Sequence, residues 1–263
     1  MSESTVLISK DARGVATVTI NRPKVRNAID DTVIRSLTDA FKALHADAET
    51  RVVVLTGSGS AFCAGADLDW MRRMAAAGDA ENFASAKTIS AMLRGLNELA
   101  KPTIARVNGA AYAAGIGLVA ACDIAVAAEE AVFSISEVRI GLVPSTISPY
   151  VIAAIGAKAA RRYFLTGEAF SAAEAHRLGL LHQVVPGSGL DAAIESVIAS
   201  LLAGGPQSQA RAKRLIADIA DRPVDDAIEA LTARSIADAR ASSEGREGIA
   251  AFLEKRRPAW RRE

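Results

Sequence analysis

The amino-acid sequence predicts a mixed α/β fold in which units of strand, strand or turn, and helix follow one another. Three runs rich in β-branched or apolar residues, 51–56, 103–107 and 123–126, each precede a second short segment and then a stretch of helical periodicity. No fixed sequence period accompanies them, so the repetition lies in the architecture and not in the residues. We therefore expect an α/β (α+β) fold built from repeated units.

Two predicted strands open the chain, at residues 5–9 and 15–20, and Pro23 ends the second because proline cannot donate to a sheet ladder. Asp30 or Asp31 can cap the helix that follows, since a side-chain oxygen there accepts from an exposed backbone N–H. The apolar face of that helix consists of Val33, Ile34, Leu37, Phe41 and Leu44.

The middle of the chain alternates strands with helices. Residues 52–55 form a continuous apolar run, which is typical of a strand covered on both faces. Asp67 is a predicted N-cap for a helix that begins at Leu68. Helical periodicity returns over residues 83–99, and Pro102 separates this helix from the next strand.

The last strands and helices follow the same order. Residues 131–134 and 180–185 are expected strands, and a helix is expected near residues 148–155. From about residue 191 onward no segment resembles a strand, and the Gly-Gly-Pro sequence at 204–206 favours a boundary.

Length and composition fit one large domain with an appended region. The chain has 263 residues, a mass of 27.4 kDa, 50% hydrophobic residues and 23% charged residues, as in ordinary globular proteins. We assign residues 1–200 to the core and residues 201–263 to a C-terminal helical region. The formal net charge of +1 provides no overall basic field, which argues against nucleic acid as a partner.

Cysteine and histidine usage indicates the compartment and argues against a metal centre. Cys63 and Cys122 lie in apolar surroundings, so buried free thiols are expected, and a reducing, cytoplasmic compartment fits them. The three histidines have no cysteine or carboxylate at ligand spacing. We expect no signal peptide at residues 1–10 and no membrane-spanning segment, because no apolar run is long enough.

Two turns crowded with small residues, 60–68 and 107–117, are the candidate functional segments. Each follows a strand and leads into a helix, which exposes backbone N–H groups where the helix dipole favours negative charge. Two such turns facing one point would form an oxyanion hole, a pair of donors for an oxygen that becomes negative. Ordinary strand–helix loops, in which glycine only serves the turn, are the alternative interpretation.

Short motifs lie along nearly the whole chain, at residues 21–23, 26–28, 62–68, 107–110, 122–124 and 137–144. Each is weak alone, but in this order they resemble the enoyl-CoA hydratase/isomerase (crotonase) superfamily. The resemblance implies a crotonase-like spiral of ββα units, a C-terminal helical trimerisation region, and a homotrimer or dimer of trimers. It also implies an acyl-CoA thioester substrate and no separate cofactor, because coenzyme A is part of the substrate.

The resemblance also implies roles for individual residues. The N–H groups of Ala66 and Ala114 would polarise the thioester carbonyl, and Glu137 would transfer the proton. An apolar run surrounds Glu137, which would raise its pKa and suit acid–base work. Further substrate contacts are implied for Lys24, Arg26, Ala64, Asp67, Leu68, Trp70 and Gly117, and for Phe252 and Lys255, which would reach the CoA of a neighbouring subunit.

Gly117 is the main departure, because two-glutamate hydratases of this family place their first glutamate there. Residues 66–71, 115–120, 137–144 and 147–150 resemble the bacterial methylglutaconyl-CoA hydratase branch, in which glycine is tolerated at that position. The expected activity is the addition of water to a 2-enoyl-CoA through one glutamate. The candidate substrate is 3-methylglutaconyl-CoA, an intermediate of leucine breakdown.

Several alternatives stay open at this stage. A glutaconyl substrate carries a second carboxylate, for which Arg72, Arg73 and Arg139 are candidate partners, although the surface-residue interpretation is favoured for each. Within the family, an isomerase, a decarboxylase or a thioesterase fits the same motifs. Outside it, a non-catalytic acyl-CoA-binding or RNA-binding protein remains, and residues 115–120 match a dinucleotide-binding pattern without a preceding strand.

Overall fold

The computed structural model describes residues 4–261, which fold into two sheets surrounded by helices. This arrangement confirms the predicted α/β class. The strands of the described chain are β1 (Val6–Lys10), β2 (Val15–Ile20), β3 (Val52–Gly57), β4 (Ala61–Cys63), β5 (Thr103–Val107), β6 (Ala110–Tyr112), β7 (Ile124–Ala128), β8 (Val132–Ser134), β9 (Ala169–Ser171) and β10 (Gln183–Val185).

Capping residues begin two helices where the sequence predicted them. Asp30, and not Asp31, caps the first helix, because its carboxylate accepts from the Val33 N–H at 2.9 Å. Asp67 caps the second through two backbone N–H groups. The helices are α1 (Asp31–Ala46), α2 (Leu68–Ala76), α3 (Asp79–Asn97), α4 (Ala114–Ala121), α5 (Ser148–Thr166), α6 (Ala172–Leu178), α7 (Leu190–Ala203), α8 (Pro206–Ile219), α9 (Asp226–Ala241) and α10 (Ser243–Leu253).

Successive strands of the chain alternate between two sheets. The larger sheet has the strand order β1-β2-β3-β5-β7-β10, and the smaller has the order β4-β6-β8-β9. All pairings in them are parallel except β1 with β2 and β8 with β9. Three successive segments each add a strand to the larger sheet, then one to the smaller sheet, then helix, which is the expected ββα order. The loops that follow parallel neighbours therefore meet at one edge.

Two apolar cores hold the sheets. β3 is buried along its whole length between β2 and β5, as its continuous apolar run predicted. One core lies around the smaller sheet and includes Phe41, Phe62 and Phe133. The second covers the other face of the larger sheet, where Val54 and Ile194 pack together. Burial of each large apolar side chain typically stabilises the fold by about 1.5–3 kcal/mol.

One predicted boundary agrees with the structure and another differs from it. The helix expected near residues 148–155 ends where predicted, because Gly156 adopts the non-helical values φ 73° and ψ 157°, and a second helical segment of α5 continues beyond this kink to Thr166. The last predicted strand is shorter than expected. Leu180 and Leu181 are buried in the core as a loop, and only the residues after them join the sheet ladder.

The C-terminal helices are tied to the core of the same chain. Lys213 in α8 donates to the Asp123 carboxylate at 2.8 Å, and that carboxylate also accepts from the Thr103 hydroxyl at 2.8 Å. The Arg51 guanidinium donates to the carbonyl oxygens of Gly204 and Trp260 at 3.0 Å. Within residues 4–261, no helix combines the length and the apolar character needed to cross a bilayer.

Candidate active site

A cavity of about 810 Å³ lies beside the two small-residue turns. α2 and α3 form one wall, and the start of α4 forms another. The segment that connects β8 with α5 closes a third side. Such a concave, largely apolar space with few polar groups is typical of a small-molecule site. Its apolar walls include Met71, Met74, Ile89, Leu142, Val143 and Ile147.

The two turns pack directly against each other. A Cβ atom on Gly65 would lie 3.1 Å from the Ala113 Cβ and 3.3 Å from the Tyr112 carbonyl oxygen. A Cβ atom on Gly115 would lie 2.5 Å from the Cys63 carbonyl oxygen. Larger side chains at either glycine would force the turns apart, so the small residues serve this close approach.

Ala66 and Ala114 offer unpaired backbone donors at the cavity. The Ala114 N–H belongs to the first residue of α4 and so has no partner inside the helix. Around Ala66, the Ile29 N–H donates to Gly65 and the Asp67 N–H donates to Ile29, which leaves the intervening N–H out of the ladder. In the part of the chain that the structure describes, neither N–H has a hydrogen-bond acceptor. Both residues border the cavity.

Ala113, the residue before α4, has a strained backbone conformation in the second turn. Its φ of 47° and ψ of −115° place an alanine in a region that glycine prefers. Such a conformation costs about 1–3 kcal/mol. The Ala113 N–H donates to the Ser134 carbonyl oxygen at 2.9 Å, which holds the turn against β8 while α4 begins at the next residue.

Glu137 is the candidate acid–base group. It begins a short 3₁₀ helix, Glu137–Ile140, and is half-buried. Burial raises the pKa of Glu137 above its ordinary value, and a hydrogen bond from its own backbone N–H opposes that shift. Its Oε2 is shielded from solvent and has no hydrogen-bond partner. Among the described residues that border the cavity, Glu137 is the ionisable one.

A hydrogen-bonded segment before α1 supports the first turn, and sequence reasoning did not assign it a role. The Arg22 guanidinium donates to Asp67 at 3.0 Å and lies 3.2 Å from Asp30. Asn27 is fully buried and donates to the carbonyl oxygen of Ala61 at 2.8 Å. Both residues lie in the motifs 21–23 and 26–28 that support the family resemblance, and those motifs were the sequence signal that could have identified them. The resemblance instead implied roles for the neighbouring residues Lys24 and Arg26.

The structure brings four of the expected site residues together at the cavity, Ala66, Trp70, Ala114 and Glu137. The Trp70 indole N–H donates to the Asp31 carboxylate at 2.9 Å, which fixes the ring in the wall. The expected contacts that lie outside the cavity wall of this chain are Lys24, Arg26, Ala64, Asp67, Leu68, Gly117, Phe252 and Lys255.

Two of those expectations need correction. Asp67 was expected to contact the substrate, but its Oδ1 caps α2 and its Oδ2 accepts from Arg22, so the carboxylate has a structural role. Gly117 was expected to border the acyl group, but it is buried behind the side chain of Ile147. Leu68 is 70% exposed and lies outside the wall of this cavity. Phe252 is 81% exposed, and its expected contact is with the CoA of a neighbouring subunit.

The arginines expected as carboxylate partners are engaged elsewhere. Arg72 pairs with Asp69, and Arg73 pairs with Asp31 at 2.7 Å. Arg139 lies against the end of α5 and donates to a backbone carbonyl oxygen there. None of the three borders the cavity in the described structure, so none is positioned for a substrate carboxylate.

The dinucleotide-binding interpretation of residues 115–120 is wrong. Gly115 and Gly117 lie inside α4, not in a turn between a strand and a helix. Gly115 packs on Cys63 and Gly117 packs on Ile147. No open glycine-rich backbone remains there for a pyrophosphate group.

Known proteins are similar to this chain in sequence and in fold. Residues 10–263 match the sequence model described as enoyl-CoA hydratase/isomerase. A Thermus thermophilus protein, provisionally named an enoyl-CoA hydratase, is 38% identical over 245 residues, which cover 93% of this chain and 96% of that protein. A mevalonyl-coenzyme A hydratase from Aspergillus fumigatus is 32% identical over 257 residues, covering 97% of this chain and 94% of that protein.

A solved structure agrees with these relationships. The crystal structure of an enoyl-CoA hydratase from Shewanella pealeana superimposes with a TM-score of 0.95 at 38% identity, covering 97% of this chain and 96% of the other. The family match spans nearly the whole sequence, and the likeness of fold is equally extensive. This chain therefore belongs to the enoyl-CoA hydratase/isomerase (crotonase) family.

Proposed function

We propose that this protein adds water across the double bond of a 2-enoyl-CoA thioester. One observation carries the proposal: the unpaired N–H groups of Ala66 and Ala114 border the same cavity as Glu137, whose Oε2 has no hydrogen-bond partner. Two donors for an oxygen and one proton carrier are the groups that conjugate addition to a thioester requires.

The two backbone donors would act on the thioester carbonyl oxygen. As water adds to C3, the electron pair of the C2–C3 double bond moves toward the carbonyl and its oxygen becomes negative. The N–H groups of Ala66 and Ala114 stabilise that charge, and the N-terminal end of α4 contributes its dipole. Removal of one such donor typically costs about 2.7–4 kcal/mol of transition-state stabilisation.

Glu137 would carry the proton from water to carbon. As a carboxylate it takes a proton from the attacking water while the water oxygen bonds to C3. The resulting carboxyl group returns the proton to C2 as the carbonyl re-forms, so one molecule of water is added and Glu137 is regenerated. The raised pKa of Glu137 suits both steps, because it makes the carboxylate a better base and keeps the acid available.

We propose 3-methylglutaconyl-CoA as the substrate to test first, which would place the protein in leucine breakdown. This choice is supported by the resemblance of four segments to the bacterial methylglutaconyl-CoA hydratase branch, at residues 66–71, 115–120, 137–144 and 147–150. Because no arginine or lysine borders the described cavity, neutral donors would have to hold the free carboxylate. Asn82 and Ser85 of α3 border the cavity, and the Ser85 hydroxyl has no hydrogen-bond partner.

Double-bond isomerisation is the second candidate, and one observation favours it. Glu137 is the ionisable side chain of the described cavity wall, and a 1,3-shift needs a single proton carrier. In that reaction Glu137 removes a proton from C2 of a 3-enoyl-CoA. It then delivers the proton to C4, while the same two N–H groups stabilise the enolate.

We also propose that the protein acts as a homotrimer or dimer of trimers, without a separate cofactor, in a reducing cytoplasm. Exposed apolar side chains on α10, including Phe252 and Leu253, support assembly, because a monomer rarely exposes such patches. Both thiols are free and buried, at Cys63 and Cys122. Light scattering at micromolar concentration measures the assembly, and a monomer would contradict it.

A substrate screen tests the activity. Purified protein is incubated with crotonyl-CoA, 3-methylglutaconyl-CoA and a 3-enoyl-CoA, with absorbance of the conjugated thioester as the readout. Hydration lowers that absorbance and increases the product mass by one water, whereas isomerisation of the 3-enoyl-CoA raises the absorbance at constant mass. The Glu137→Gln variant is the matched control. Failure of every substrate to gain water would reject the hydratase proposal.

A further inference from the structure

Ile147 fills the space beside Gly117. A Cβ atom placed on Gly117 would lie 3.0 Å from the Ile147 Cβ and closer still to its Cγ2 methyl, with Leu93 Cδ1 at 3.5 Å. Carbon atoms attract best at about 3.5–4.0 Å and repel when they are nearer. No side chain therefore fits at position 117 while Ile147 keeps its place.

Ile147 also separates position 117 from the cavity. It lies directly before α5, is 2% exposed, and borders the cavity. Residues three apart share one helix face, so a side chain at position 117 would point to the same side as Ala114, which also borders the cavity. To reach a bound acyl group, that side chain would have to pass through the volume of Ile147.

The consequence concerns proton transfer. Addition of water removes one proton from water and delivers one to carbon, and two separate groups can share these tasks. Glu137 is the ionisable residue of the described cavity wall. The part of that wall nearest to position 117 is the side chain of Ile147. A second acid–base group is therefore excluded both by the glycine at position 117 and by the space that Ile147 occupies beside it.

We propose that Ile147 sets the proton chemistry of this site. It occupies the volume that a second acid–base side chain on α4 would need and leaves Glu137 as the single proton carrier. This inference rests on the proposed function and identifies the residue that decides whether one or two carboxylates act.

A cycle of stability measurements tests the packing. Gly117→Ala should lower Tm by about 3–10 °C, because the added methyl group overpacks the core. Ile147→Ala should also lower Tm, but the double variant should lose less than the sum of the two, since the space opened at Ile147 accepts the new methyl group. Ile155→Ala is the matched control: Ile155 is buried on α5 and is not among the atoms nearest to position 117, so its loss should add to that of Gly117→Ala.

A kinetic comparison tests the chemistry. For the wild type, kcat/KM should fall at acidic pH with one ionisation, and Glu137→Gln should lower it by about 10²–10⁴-fold. In the double variant Gly117→Glu with Ile147→Gly, the new carboxylate has room beside Glu137. Neighbouring carboxylates titrate in two steps because like charges raise one pKa. The pH profile should then show two ionisations, and Glu137→Gln in this background should cost at least about tenfold less than in the wild type. Gly117→Glu alone should lower both Tm and activity.

Several results would overturn the inference. A Gly117→Ala variant with the Tm of the wild type, or strict additivity with Ile147→Ala, would show that Ile147 does not fill this space. A folded Gly117→Glu, Ile147→Gly variant with one ionisation and the full loss on Glu137→Gln would show that Ile147 does not set the proton chemistry. If the wild type turns over no enoyl-CoA, the proposed function fails, whereas the Tm cycle still decides the packing. If that double variant does not fold, the Tm cycle with Ile147→Ala still decides whether Ile147 fills the space beside Gly117, and the proposal falls if it does not.

Discussion

Asn27 connects the segment before α1 to the turn between β3 and β4, and its replacement by alanine should be strongly destabilising. The side chain is fully buried, and its Nδ2 donates to the carbonyl oxygens of Ser58 and Ala61, both at 2.8 Å. Its Oδ1 accepts from the Arg22 N–H at 2.9 Å. The backbone adopts φ 59°, a left-handed conformation that asparagine tolerates better than alanine does.

The expected cost of Asn27→Ala follows from these contacts. Three lost hydrogen bonds, each worth about 1–1.5 kcal/mol, amount to about 3–4 kcal/mol. Alanine at positive φ adds about 1 kcal/mol. A total loss of about 4–5 kcal/mol in the free energy of unfolding corresponds to a fall in Tm of about 8–20 °C for a chain of this size.

Two control variants separate the contributions. Asn27→Gly removes the side chain but permits the positive φ, so it should be about 1 kcal/mol less destabilising than Asn27→Ala. Ser58→Ala removes only a hydroxyl that lies 3.4 Å from the Asn27 Oδ1, and it should cost less than about 1 kcal/mol.

The same change should also reduce catalysis. The Ala64 N–H donates to the Arg26 carbonyl oxygen at 3.0 Å, so the segment that Asn27 anchors also positions the turn with Ala66. Displacement of that donor by about 1 Å should lower kcat/KM by about 10²-fold. Urea unfolding, thermal melting and steady-state kinetics on the variants measure these effects. A loss of stability below about 1 kcal/mol for Asn27→Ala would refute the reasoning.

The remaining predictions concern the site itself. Glu137→Gln should lower turnover by about 10²–10⁴-fold with little change in acyl-CoA binding, and near wild-type turnover would remove Glu137 from the mechanism. Because burial raises the pKa of Glu137 in the folded state, its charge destabilises the fold above that pKa and not below the unfolded value of 4.5. The same variant should therefore unfold at higher temperature than the wild type at neutral pH, and this gain should vanish in acid. Ala114→Pro should lower kcat by about 10²–10³-fold, since proline has no N–H to donate; unchanged kcat would exclude this donor. Arg22→Ala should lower Tm and kcat/KM together by releasing Asp67 and Asp30, and circular dichroism melts with kinetics would show whether it does.

Much of the fold could be predicted from the sequence because its signals are local. A continuous apolar run indicated β3 and a run rich in β-branched residues indicated β5, while Asp67 indicated the start of α2 through capping chemistry that spans only a few residues. Crowding by small residues located the turns that carry Ala66 and Ala114. Such signals need no knowledge of distant contacts, and family motifs ordered them along the chain.

What only the tertiary structure decided depends on contacts between distant segments. Glu137 could be singled out from its motif, but its half-buried position beside two unpaired N–H groups follows from the pairing of β6 with β8. The Arg22–Asp67 contact joins residues 45 positions apart, and no local pattern indicates it. Ile147 meets Gly117 only because α5 packs on α4. The sequence alone could show that a glutamate is absent at position 117. Only packing shows that an isoleucine from another element fills its place, because that depends on the relative position of two helices.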